Sequence, residues 1–276
     1  MLKALSKKAG TTMKYMHFKA SCSYTALAEM MEANGIHTED YQIALEMKLP
    51  WLFAKEDGSY HAGPMLQGAK WFNLWLIPNG YKLSEISLNC DNLCRYLQVH
   101  NLVMLGIHTP YGKHAVVFEE YDGRYHFFNP THEESGESPN LILGEKELLS
   151  MVDQTIVLGE LHTTEPKPQD IAPYLINSVA VIRNNCDDIK AFAETKHDPA
   201  QYLSVMNTLF RPLLLDGISM LELAGETELA HDFSILQQDF MTFLRSSRTG
   251  VMGEMVSLDR LRRLSEEYIR LIEKQL

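Results

Sequence analysis

No stretch of the 276 residues approaches the roughly eighteen consecutive apolar side chains that a membrane-spanning helix needs. The apolar core region of a secretory signal is missing from the N-terminus too, which gives the expectation of a cytoplasmic protein with no membrane partner. Cysteine is scarce: four residues at irregular spacing do not make a disulfide framework, and in a reducing compartment they are free thiols. Walker-type and dinucleotide-binding glycine motifs are absent, as is HExxH, so no cofactor and no metal are expected. Positive charge is in deficit: 25 Lys and Arg against 36 Asp and Glu give a formal charge of −11, a field that repels nucleic acid. Lys3, Lys7, Lys8, Lys14 and Lys19 lie in a leader without acids, which reads as solvated charge.

What is present is an ordinary globular composition, 45% hydrophobic and 22% charged, on a chain long enough for two domains. Residues 22–34 place Ala26, Leu27, Met30 and Met31 on one helical face and end at Asn34-Gly35, a left-handed stop. A second helical run spans Met65 to Leu76 and ends at Pro78-Asn79-Gly80, and Asp91 reads as the N-cap of a short helix through Leu97. From Leu102 the period becomes strand-like. Leu102 to Ile107, Ala115 to Phe118 and Arg124 to Phe128 are apolar runs, the last two joined by an Asp122-Gly123 turn. A short helix near Glu145 to Met151 and a strand at Thr155 to Leu161 follow. Helices first and an antiparallel sheet afterwards is an α+β arrangement. The polar stretch Thr163 to Asp170 carries two prolines, and strand signals vanish beyond it. The expected division is therefore a domain at 1–164 and an all-α helical bundle at 165–276, with helices at Glu226 to Leu244 and Val256 to Leu276. The last of these shows a core stripe of Leu258, Leu261, Leu264, Ile269 and Ile272.

Three residues can be joined into one reactive group. Cys22 opens the first helix, where unpaired backbone N–H groups and the helix dipole favour a thiolate and can hold an oxyanion. Alone, a cysteine there is as well explained as a small buried hydrophobe. His114 opens a strand just after Pro110-Tyr111-Gly112 and can serve as general base and acid. Asn129 closes the next strand, and antiparallel pairing brings the start of one strand beside the end of the next. A carboxamide there fixes the imidazole tautomer, as in a Cys-His-Asn triad. Cys90 and Cys94, with His100 nearby, have a spacing seen in zinc sites but lack a second ligand pair, so they read as buried thiols, and Cys186 as packing. His61 is a loop histidine that can line the cleft.

From Met16 to Leu161 the chain resembles papain-like thiol enzymes of the kind found in double-glycine leader peptidases of bacteriocin exporters and in the butirosin biosynthesis acyltransferase. The likeness rests on Cys22-Ser-Tyr-Thr-Ala-Leu-Ala at a helix start, a Gly63 segment before a helix, Gly-Lys-His114-Ala-Val-Val, Tyr121-Asp-Gly and Asn129-Pro130. It implies a papain-like fold and catalytic roles for Cys22, His114 and Asn129. These relatives usually carry a glutamine six residues before the cysteine as oxyanion donor. The Met16 side chain stands there and has no N–H or O–H to give, which leaves His17 or Lys19 as substitutes, or a backbone N–H alone.

An acyl-cysteine can yield to water, to an amine or to a thiol. The leader peptidases are normally fused to membrane transporters, whereas this chain adds a helical segment, as the butirosin enzyme does. The resemblance therefore implies an acyltransferase or amide synthase of natural-product biosynthesis, with an acyl or peptidyl carrier protein as thioester donor and a small amine as acceptor. A leader-type peptidase or amidase acting on a peptide, and a binding module with an impaired site, are the alternatives.

Overall fold

The computed structural model describes residues 14–195, 197–248 and 256–276, so the leader up to Lys8 lies outside them. In chain order the first elements are α1 (Cys22–Ala33), α2 (Asp40–Glu46), β1 (Phe53–Glu56), β2 (Ser59–Ala62), α3 (Ala69–Leu76), β3 (Tyr81–Asn89) and α4 (Leu93–Leu97). Then come β4 (Val103–Thr109), β5 (Gly112–Tyr121), β6 (Tyr125–Phe128), β7 (Asn140–Leu143), α5 (Glu145–Ser150) and β8 (Thr155–Thr163). Helices α6 (Ala172–Ala193), α7 (Pro199–Val205), α8 (Gly217–Leu223), α9 (Thr227–Arg248) and α10 (Leu258–Glu273) complete the chain, with two π-helical turns between α7 and α8. The class is α+β, an antiparallel sheet with helices.

Six strands form the main sheet in the order β3-β8-β4-β5-β6-β7, every neighbouring pair antiparallel. Apolar residues leave both faces of its central strands, which is why Val103 to Ile107 reads as a nearly unbroken hydrophobic run. Val103, Leu105 and Ile107 pack with α4 and α5 in one core. Met104, from the opposite face, joins α1, α2, α3 and the C-terminal helices in the other. That second core is continuous from Phe18 to Ile272. Ser178 of α6 bonds the Phe53 N–H at 2.8 Å, and the buried Tyr268 hydroxyl of α10 donates to the Pro50 carbonyl at 2.6 Å. Leu261, Leu264, Ile269 and Ile272 form the buried stripe of α10.

Three sequence expectations need correction. The order is not helices first and sheet afterwards, because the β1–β2 hairpin and the edge strand β3 precede β4; Asp57-Gly58, both at positive φ, is the hairpin turn. The helix expected from Met65 begins only at Ala69. Gly63–Met65 is a 3-10 turn, and Gly68 has φ +91°, outside helical geometry. Asp91 is not an N-cap; it lies in a 3-10 turn whose cap is Asn89, the Asn89 side chain accepting the Asp91 N–H at 2.9 Å. Among the described residues no helix is long and apolar enough to cross a membrane.

Candidate active site

The segment before α1 is anchored by a buried acid. Asp40, the first residue of α2, is fully enclosed, and its carboxylate accepts the Ser21 hydroxyl at 2.7 Å, the Thr25 hydroxyl at 3.2 Å and the His17 N–H at 2.9 Å. The His17 ring nitrogen Nδ1 lies 2.5 Å from its second oxygen. A buried carboxylate is tolerable only when its lone pairs are satisfied in this way. Ser21 and Thr25 sit on either side of Cys22, so the bonds fix the N-terminus of α1 and with it the thiol. Local sequence pattern carries no hint of this, because Asp40 is 15 to 23 residues away from its partners.

Cys22 Sγ accepts the backbone N–H of Ala115 at 3.5 Å, which places the helix terminus against the first residues of β5. Ala115 follows His114, and both Cys22 and His114 line one cavity of about 260 Å³. His114 Nε2 lies 3.0 Å from Asn129 Oδ1. The Asn129 amide is oriented in turn, its Nδ2 donating to the Ser138 carbonyl at 3.0 Å, so the oxygen is the atom offered to the ring. With Nε2 taken by Asn129, Nδ1 is the ring nitrogen left for a thiol proton. The structure thus gathers Cys22, His114 and Asn129 at the meeting of α1, the start of β5 and the end of β6.

Protonation differs from what the helix terminus alone suggests. Burial pushes the Cys22 thiol above its ordinary value, against the backbone N–H groups of Ala115, Ser23 and Cys22, which favour the thiolate. Burial also lowers His114, although the Asn129 bond and the Pro130 carbonyl favour its charged form. Both shifts favour the neutral forms, thiol and imidazole, because desolvation outweighs the dipole and hydrogen bonds.

His17 and Lys19 are not among the residues that line the cavity, and the His17 ring is engaged by Asp40. Met16 is held by its backbone, its N–H donating to Thr131 at 2.8 Å and its carbonyl accepting the His132 ring at 3.0 Å. The carboxamide that does line the cavity beside Cys22 is Gln67, unremarked in the sequence. Its Nε2 donates to the Pro64 carbonyl at 3.1 Å and to Ala20 at 3.4 Å, tying the segment before the thiol to the Gly63–Met65 turn. Gly63 has φ +52°, and the Met220 side chain of α8 lies 2.5 Å from where a Cβ would stand, so only glycine fits there. His61 lies on β2 and is not among the lining residues.

Cys94 is buried in the core of the other sheet face with Cys90 packed against the same cluster, and the His100 ring pairs with Glu160 at 2.8 Å. Among the described residues no cluster of three or more His, Cys, Asp or Glu is placed to hold a metal ion. The chain matches no protein-family model and no curated protein.

Proposed function

We propose that the chain is a papain-like thiol enzyme that carries an acyl group on Cys22 and passes it from a carrier-protein thioester to an amine. The observation that supports this most is the chain of contacts from Cys22 Sγ, through the N–H of Ala115 and the adjoining His114, to Asn129 Oδ1 at 3.0 Å from Nε2. A nucleophile and a base line one cavity, and an amide behind the base orients it, as the general logic of activated nucleophiles requires.

Burial disfavours the Cys22 thiolate, so His114 acts as a general base during attack. Its Nδ1 takes the Sγ proton while sulfur adds to the thioester carbon. Collapse of the tetrahedral adduct breaks the bond to the donor sulfur, and the imidazolium returns its proton to that departing thiolate. The amine then adds to the acyl-Cys22 carbon, His114 accepts the amine proton, and Cys22 leaves and is reprotonated. The oxyanion of each adduct is received by the backbone N–H of Cys22 at the start of α1. Gln67 is the second donor, exchanging its long bond to Ala20 for the oxyanion. Asn129 holds the ring through Nε2 and keeps Nδ1 on the thiol side.

The test supplies an acyl-pantetheine thioester with and without an amine, and follows intact mass and product. An adduct on Cys22 that is discharged into an amide is expected. Peptide cleavage without thioester turnover would replace this reading with a peptidase, and no adduct under any condition would leave a binding module.

A further inference from the structure

The cavity beside Cys22 continues across the sheet, and apolar side chains and polar ones with partners of their own alternate along it. Met104 and Gly106 share a face of β4, Val157 and Gly159 a face of β8, and Leu83 and Glu85 a face of β3. Gly106 pairs with Ala115, the residue whose N–H touches the thiol, and Gly159 pairs with both Met104 and Glu85. Ala115, Gly106 under the Lys113 stem and Gly159 under Leu83 thus lie at the base of a trough that starts at Cys22, and Phe72, Leu83 and Met104, all buried in the main core, wall it. Val157, at its far side, is 51% exposed, a large aliphatic side chain left open to solvent inside a lined cavity.

The charged groups of the trough are already spent. Lys113 lies flat over Gly106, its Cε 2.7 Å from where a Cβ would stand, so a methylene stem faces the trough. Its ammonium is 2.8 Å from Asp153, and His108 bonds the same carboxylate at 2.7 Å. Glu85 accepts the Ala69 N–H at 2.8 Å. With His114 held neutral, the lining carries two carboxylates against one ammonium, a balance that disfavours an anionic guest.

Building on the acyl-Cys22 reading above, we propose that the acyl group is an uncharged, unbranched aliphatic chain of medium length, lying in the trough between Cys22 and Val157. A dry cavity of about 150 Å³ holds six-carbon benzene, so about 260 Å³ corresponds to a chain of roughly six to ten carbons. The chain arrives as a thioester; Cys22 Sγ bonds its carbonyl carbon, the donor sulfur departs, and the proton taken by His114 goes to that sulfur, with no oxidant or reductant involved.

Acetyl-, octanoyl- and succinyl-pantetheine presented in turn to the full chain, with the mass gain on Cys22 followed in time, test the assignment. Octanoyl loading at least tenfold faster than acetyl and succinyl loading is the expected result. Val157→Asp, a change at an exposed strand position, is expected to cut the octanoyl-to-acetyl rate ratio at least fivefold. Equal loading of all three, or faster succinyl loading, overturns the chain assignment while the thiol enzyme stands. An unchanged rate ratio in the Val157 variant also overturns it. If none of the three loads Cys22, the acyl-enzyme reading itself fails and takes this inference with it.

Discussion

Cys22 and Cys186 are both partly buried thiols that burial pushes upward, Cys186 to about 11, yet their neighbours differ in kind. Cys186, on α6, sits 3.0 Å from the Ser265 hydroxyl of α10, and the nearby Asp187 and Glu266 carboxylates raise it further. Burial and the two carboxylates oppose a thiolate more strongly than the Ser265 hydroxyl favours it, and Cys186 packs at a helix contact in the main core. Cys22 is met by backbone N–H groups and shares an open cavity with a histidine fixed through an amide. Enclosure alone therefore does not separate a nucleophile from a packed thiol. The sign of the groups around the sulfur does, together with a base whose protonation can change.

Breaking the comparison at its strongest point means removing the sulfur itself. Cys22→Ser is expected to lower acyl transfer by at least about 10⁴-fold, since a hydroxyl is a far weaker nucleophile beside the same imidazole, read as single-turnover amide formation. Gln67→Ala removes the proposed side-chain oxyanion donor and is expected to cost about 10²-fold in kcat with little change in KM. Retained kcat would return that role to the backbone.

How much of this could be read from the sequence depends on how local each signal is. The helix at Cys22, its Asn34-Gly35 stop and the hairpin linking His114 to Asn129 are encoded within a few residues of themselves, and all are present in the structure. β3, Tyr81 to Asn89, also alternates polar and apolar, but its partner is β8, brought beside it only by folding. Asp57-Gly58 was a hairpin signal of the same kind as Asp122-Gly123, flanked by strands too short to show a period. Asp40 and Gln67 were invisible for a different reason. Their importance comes from partners brought close by folding, Ser21 and Thr25 for one, Ala20 and Pro64 for the other.

Acidity offers a sharper test of the resting thiol and imidazole. The base form of His114 is required, and burial places its pKa below the ordinary 6.5. Loading of Cys22 from a thioester should therefore begin to fall only at a lower pH than an ordinary histidine would give, by about tenfold per pH unit below the lowered value. Alkylation of Cys22 by iodoacetamide should instead rise with pH into the alkaline range, because the thiol is raised. A thiolate already formed at pH 6 would show as flat, rapid alkylation and would contradict the neutral pair. The smallest effect belongs to the other thiol: Cys186→Ala should change transfer by less than about twofold, since it shares no contact with the cavity.

The central claim is that His114 activates Cys22, and single-turnover loading from an acyl-pantetheine at pH 7 tests it most directly, with the modified residue mapped by mass. An adduct confined to Cys22, forming about 10² to 10⁴ times faster in the native chain than in His114→Ala, is the result this account predicts. Equal rates in the two proteins, or an adduct on Cys90, Cys94 or Cys186, would contradict it.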